Sequence, residues 1–243
     1  MESGFRKLVR RQTIGALLVE PIQARGGINL PPSGFLPMLR RLCDESGVLL
    51  VLDEIYTGFG RTGKWFACEH SGTVPDVICL GKALTGGFPM SACVGKSEVM
   101  DRAWPESDGE AIHTSTFLGH PVGCAMAIAQ IKTITDEELV EHSAKLGTTL
   151  LADLSKIASE ISKVRCKARG MGLMTGLELR DRNGKPATQL SLKVIKEMLK
   201  RGFVLLPEGE DANVISLTPP LTISSRQLTR TLKALVEQIE ECQ

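Results

Sequence analysis

Three apolar runs punctuate the first third of the chain, each too short for a helix and too continuous for an alternating surface strand. IGALLVEP (14–21), VLLVLDE (48–54) and DVICLG (76–81) therefore read as strands buried on both faces, the pattern of a parallel sheet. Between the first two, GFLPMLRRLCDESG (34–47) puts Phe35, Leu36, Leu39, Leu42 and Cys43 on one helical face, with Gly47 placed to end the helix. Strand, helix and strand joined by long crossovers predict an α/β domain, in which ligands gather beyond the carboxyl ends of the strands. Glu20, Asp53 and Lys82 fall at those ends.

Farther on the period changes. PVGCAMAIAQIKTI (121–134) is rich in small and apolar residues, opens with proline in its first turn, and predicts a helix packed deep against the sheet. A more polar helical stretch reaches about residue 160. Residues 165–181 then read as a hairpin or two strands, 188–201 as a helix, 202–207 and 213–220 as strands, and 224–241 as a closing amphipathic helix. Mixed strands and helices of this kind predict a smaller α+β domain. The division expected is 1–135 for the sheet-bearing part, 136–160 for a connecting helix and 161–243 for the smaller domain.

Composition narrows the partners more than the fold. At 243 residues the chain can bury a sizeable core. A net charge of +1 argues against nucleic acid or an anionic membrane as the main partner. The seven cysteines, odd in number and never spaced as CxxC, read as thiols of a reducing compartment rather than a disulfide frame or zinc site, which makes the cytoplasm the expected location. Residues 1–13 are basic without the apolar core of a signal peptide, and no apolar run reaches the length of a membrane span.

The unusual feature is Lys82, set directly after a buried strand and before the glycine-rich turn of CLGKALTGGFPMSACVG (79–95). A phosphate-binding loop fails, because Ala83 stands where Ser or Thr is needed and the upstream glycine is missing. A dinucleotide turn lacks its GxGxxG between strand and helix. The remaining reading is a desolvated amine poised to attack a carbonyl, with a carboxylate on a neighbouring strand supporting a cofactor. Asp53 is that acid, although a helix cap or ion-pair partner is the competing role for it.

At this point residues 51–95, VLDEIYTGFGRTGKWFACEHSGTVPDVICLGKALTGGFPMSACVG, resemble the core signature of the class III pyridoxal-phosphate aminotransferases, the group of ornithine, acetylornithine and 4-aminobutyrate aminotransferases. EPIQARGG (20–27), HTSTFLGHPVGCAMAIA (113–129), RGMGLMTGLEL and VISLTPPLTIS resemble the family in its order and spacing. The resemblance implies a partial aspartate-aminotransferase-like large domain with a mainly parallel sheet, followed by a smaller α+β domain. It also implies that the chain corresponds to the carboxyl-terminal portion of such an enzyme, relatives being longer at the amino end.

The roles implied are specific. Lys82 would carry pyridoxal phosphate on its amine and later move a proton between substrate and cofactor. Asp53 would hold the pyridine nitrogen protonated. Ile55 would pack on one ring face, and Tyr56, where relatives often carry Gln, would sit near the ring's phenolic oxygen. Ser115 and Thr116 resemble residues that reach a partner's cofactor phosphate, which implies a homodimer. Gly86 and Gly87 would let the chain turn beside the lysine; Arg61, His113 and His120 read as structural, with no metal expected.

Two positions depart from the ornithine-type pattern. Ser216 replaces the arginine that binds the substrate's α-carboxylate, and Arg25 replaces the glutamate that pairs with it. Arg25 is accordingly a candidate clamp for an anionic substrate group, set against the alternative of a solvent-facing loop arginine. The implied reaction is transamination between an amine or amino-acid donor, reacting away from or without an α-carboxylate, and a 2-oxo acid. A mutase, racemase or decarboxylase on the same scaffold, or a non-catalytic fragment or assembly subunit, are the alternatives.

Overall fold

A computed structural model describes residues 2–11, 14–107, 109–110 and 113–242. These divide into two compact units. The first comprises the chain up to Pro21, Pro31–Phe59 and Phe66–Glu137; the second comprises Ile22–Leu30, Gly60–Trp65 and the chain from Glu138 onward.

The first unit opens with helix α1 (Glu2–Arg11) and strand β1 (Ala16–Val19), followed by α2 (Phe35–Ser46), β2 (Leu49–Asp53), β3 (Val77–Leu80), β4 (Ala92–Gly95), α3 (Ser97–Ala103) and α4 (Pro121–Asp136). Its sheet runs in the order β1-β2-β3-β4. β1, β2 and β3 are parallel, and β4 returns antiparallel to β3. The apolar face expected of α2 is buried at Leu36, Leu39, Leu42 and Cys43. It packs with Val48, Leu50, Leu52 and Cys68, and Phe5 and Val9 of α1 close the same cluster. Gly47 ends α2 at φ 65°, where its amide reaches the Cys43 and Asp44 carbonyls.

Helix α4 differs from the expectation of deep burial. Only Gly123, Ala127 and Ile134 are buried, while Val122, Met126, Ile128 and Ile131 are exposed. The helix is apolar around its circumference, and one narrow face finds a neighbour in this unit: a side chain at Gly123 would meet Met90 and Phe88.

The second unit contains α5 (Leu139–Glu160), the hairpin β5 (Arg165–Met171) and β6 (Met174–Arg180), α6 (Thr188–Lys200), β7 (Leu206–Glu208), β8 (Val214–Leu217) and α7 (Ser225–Cys242). All neighbours in its sheet, ordered β5-β6-β8-β7, are antiparallel. Leu177, Leu179, Ile215 and Leu217 of the sheet share one core with Leu150 and Leu154 of α5, Val194 and Met198 of α6, and Leu232, Leu235 and Ile239 of α7. The strand predicted over 202–207 begins only at Leu206, because the Gly202 and Phe203 amides return to the Leu199 and Met198 carbonyls and close off α6. Among the described residues no helix is long and apolar enough to cross a membrane.

Candidate active site

Adjacent strands of the first unit carry the two charged residues that sequence reasoning paired. Asp53 ends β2, in register with Cys79 on β3, so their side chains share a face of the sheet. Lys82 follows two residues after the end of β3, across an extended Gly81. The Glu54 amide donates to the Cys79 carbonyl at 3.0 Å, which extends the ladder past Asp53 and brings both strand ends to one level.

Asp53 is half-buried, and its Oδ1 accepts the Ile55 amide at 3.0 Å. That bond turns the chain immediately after β2 and sets Ile55 against Gly81, where a Cβ would lie 3.2 Å from Ile55 Cγ2. A side chain at position 81 would crowd the gap between the two strand ends. Tyr56 follows, with the Lys82 Nζ 4.7 Å from the centre of its ring. Lys82 itself lies at φ 41°, a left-handed conformation costly for a non-glycine residue. Within this unit it is exposed, not desolvated as its sequence context suggested.

Behind these residues a buried carboxylate braces the turn. Glu54 accepts the Ala67 and Cys68 amides at 2.9 and 2.8 Å and the Thr57 hydroxyl. Burial, then the neighbouring Glu54 carboxylate, pushes the Cys68 thiol up to about 12, so this cysteine stays protonated at neutral pH. Sequence reasoning did not single out Glu54, although its adjacency to Asp53 at a strand end was visible.

Asp53, Ile55, Tyr56 and Lys82 are thus brought together. Ser115 and Thr116 are not: they are exposed in the turn leading to α4, and among the described residues no hydrogen bond ties them to those four. His120 caps α4 by accepting the Val122 amide at 3.3 Å and lies beside Phe88, a packing and capping role.

Arg25 belongs to the second unit. Its Nη1 lies 2.9 Å from Oε1 of Glu208; the arginine side chain is 69% exposed and the glutamate 1%. The loop that bears it is held by Arg169, which donates to the Gly27 and Ile28 carbonyls while pairing with Glu178 at 2.6 Å. Glu208 was missed from sequence because nothing in LPEGED marks which acid turns inward. Ser216 is buried on β8, opposite Leu206. Arg61, read as structural, donates to the Leu173 and Pro219 carbonyls at 3.0 and 2.6 Å.

A cavity of about 520 Å³ in the second unit lies among Phe203, Leu205, Leu217, Pro219 and Arg230. Its one charged lining residue, Arg230, stacks on Phe203. Its lining holds no carboxylate, thiol, imidazole or lysine amine.

The donor set at the strand ends of the first unit fits pyridoxal phosphate at its ring end: a carboxylate for a pyridinium nitrogen, an amine just past the end of the next strand, and a branched apolar side chain packed against Gly81. The profile of the family described as aminotransferase class-III matches residues 3–239. A putrescine aminotransferase of Pectobacterium atrosepticum is 38% identical over 237 residues, covering 95% of this chain and 49% of that protein. A 5-aminovalerate aminotransferase of Pseudomonas aeruginosa is 38% identical over 243 residues, covering 99% of this chain and 56% of that one. Among solved structures, a transaminase from the marine bacterium Virgibacillus superposes with a TM-score of 0.90 at 31% identity, over 99% of this chain and 56% of its own. The ornithine aminotransferase of Plasmodium yoelii gives 0.88 at 30%, over 100% and 62%. The chain spans about half the length of the curated relatives it matches.

Proposed function

The chain belongs to the class-III aminotransferases, a pyridoxal-phosphate-dependent family, and on that premise we propose that it carries the cofactor lysine and ring-binding half of an enzyme transferring an amino group from an amine or amino acid to a 2-oxo acid. The observation supporting this is the convergence of Asp53 and Lys82 from the ends of paired strands β2 and β3. Pyridoxal phosphate, when bound, supplies a cationic ring that takes up the electron pair left when the donor carbon loses its proton.

The residues divide the remaining work. Asp53 would hold the proton on the ring nitrogen by accepting its hydrogen bond. Lys82 Nζ would hold the cofactor and, freed when the substrate's amine takes its place, would serve as the base that takes and returns the substrate proton. Its position just past the end of β3 sets that nitrogen 4.7 Å from the centre of the Tyr56 ring. Ile55 would support a ring face, and Tyr56 would border the ring's oxygen. Ser115 and Thr116 serve a phosphate across a homodimer interface, which accords with their exposure in this chain.

Arg25 supplies the clamp for an anionic group of the substrate: Glu208 fixes one edge of its guanidinium and most of the side chain remains open. The similar proteins named for putrescine and 5-aminovalerate support a donor whose reacting amine sits at a chain end, remote from or without an α-carboxylate. We place the enzyme in the cytoplasm.

The test follows nitrogen. The chain supplied with pyridoxal phosphate, 15N-labelled 5-aminovalerate and 2-oxoglutarate should pass label to the acceptor, and Lys82→Ala should abolish transfer. Label retained in the carbon skeleton of the donor, shifted in position or accompanied by loss of CO2, would refute transamination.

A further inference from the structure

The cysteines are scattered in sequence, yet β4 brings Cys93 directly opposite Cys79 on β3. The kind of pairing is fixed by the ladder. The Lys96 amide donates to the Asp76 carbonyl at 3.0 Å, which makes 76 and 96 a hydrogen-bonded pair. Counting inward through Val77–Gly95 and Ile78–Val94, the alternation puts Cys79 and Cys93 at a non-hydrogen-bonded pair. There opposed Cα atoms approach to about 4.5 Å and side chains stand closest. That spacing lies inside the Cα range a disulfide spans, about 4.4–6.8 Å.

The two thiols differ in access. Cys93 is exposed; Cys79 is half-buried, with its thiol pushed up by burial, then by the Cys93 sulfur beside it and the Asp53 carboxylate. An accessible thiol at Cys93 can meet a small disulfide, and Cys79 beside it is placed to resolve the mixed disulfide.

We propose that Cys79 and Cys93 form a cross-strand dithiol, a modification site for low-molecular-weight disulfides, which close it to an intramolecular disulfide. The Cys93 thiolate attacks one sulfur of the oxidant and expels a thiolate, giving a mixed disulfide. The Cys79 thiolate attacks the Cys93 sulfur and expels the second. Two protein thiols are oxidised, one small disulfide is reduced to two thiols, and the protein's two thiol protons leave with them. The closed bond joins β3 just before Lys82 to the strand that follows the glycine-rich turn, so the segment bearing the lysine becomes a covalent loop beside Asp53. This inference concerns the chain's own thiols and is independent of the cofactor reading.

The experiment incubates the reduced full chain with glutathione disulfide, alkylates the remaining thiols and maps non-reduced tryptic peptides by mass spectrometry. The expected product has lost two hydrogen atoms and joins peptides 65–82 and 83–96 through Cys79 and Cys93, fragmentation separating Cys79 from Cys68. Dithiothreitol should reverse the link. Cys93→Ser, at an exposed position, should eliminate it, and Cys79→Ser should instead accumulate a stable glutathione adduct on Cys93. A wild-type chain that stops at the Cys93 adduct, or in which both cysteines remain free for alkylation, would overturn the proposal.

Discussion

Asp76→Asn offers the sharpest test of how the first unit holds its strands. Asp76 lies just ahead of β3 with its side chain 7% exposed, and three elements converge on it. Its Oδ2 accepts the Leu50 amide of β2 at 2.8 Å and Arg40 Nη1 of α2 at 2.7 Å, and its Oδ1 accepts Lys96 Nζ, beyond β4, at 2.7 Å. Burial alone would raise its pKa, but the bonds from Lys96, the Leu50 amide and Arg40 outweigh it and hold the carboxyl at about 2, from an ordinary 3.8. A lowered folded-state pKa means the native state sheds this proton more readily than the unfolded chain. Its contribution is therefore complete above pH 3.8 with about a unit's margin, and is lost as pH falls through about 2. At 1.36 kcal/mol per pH unit, the fall from 3.8 to about 2 corresponds to about 2.5 kcal/mol. The variant also leaves Arg40, 18% exposed, without its buried partner, which places the total cost at neutral pH near 3 kcal/mol. Urea unfolding followed by circular dichroism at pH 7, 5, 3 and 2 reads this directly, with hydrogen exchange at the Leu50 and Lys96 amides assigning the transition to this unit. The deficit of Asp76→Asn should shrink by most of 2.5 kcal/mol on acidification; parallel pH curves for the two proteins would refute the reasoning.

Other perturbations probe separate parts of the account. Glu54→Ala strips the acceptor from two buried amides and should cost about 2–4 kcal/mol in chemical denaturation, with new protease cleavage between 54 and 68; Glu54→Gln should recover part of the loss. Gly147→Ala places a Cβ 2.3 Å from the Gly172 backbone, so thermal unfolding of the second unit should show destabilisation of about 3 kcal/mol. Arg25→Ala should weaken apparent affinity for 5-aminovalerate about tenfold and leave putrescine, which has no carboxylate, unchanged in steady-state kinetics. Equal effects on both donors would remove Arg25 from the substrate site.

Local chemistry explains which features were legible in the sequence. β2 and β3 announce themselves because continuous Leu, Val and Ile runs end abruptly in Asp53 and at Gly81–Lys82, a polar boundary no helix would place there. The hairpin β5–β6 is equally plain around Gly172, whereas β4 is four residues inside a stretch dominated by turn formers, and its partner is fixed only by the return to β3. Helix α1 is masked in the sequence by its run of basic residues; what holds it is remote, Arg6 on Glu45 and Arg41 on Glu2. The class of the fold was readable from the order of the runs and the family resemblance. The ion pair of Arg25 with Glu208, separated by most of the chain, and the meeting of Cys79 with Cys93 depend on register and could not be read from spacing.

Covalent trapping shows whether Lys82 binds pyridoxal phosphate with Asp53 beside it. The chain mixed with pyridoxal phosphate is reduced with borohydride and digested, and the peptides are searched for a pyridoxyl group alongside Lys82→Ala. Reduction-dependent attachment at Lys82 is expected, absent from the variant and weakened by Asp53→Asn. Attachment spread over surface lysines to the same extent in wild type and Lys82→Ala would contradict it.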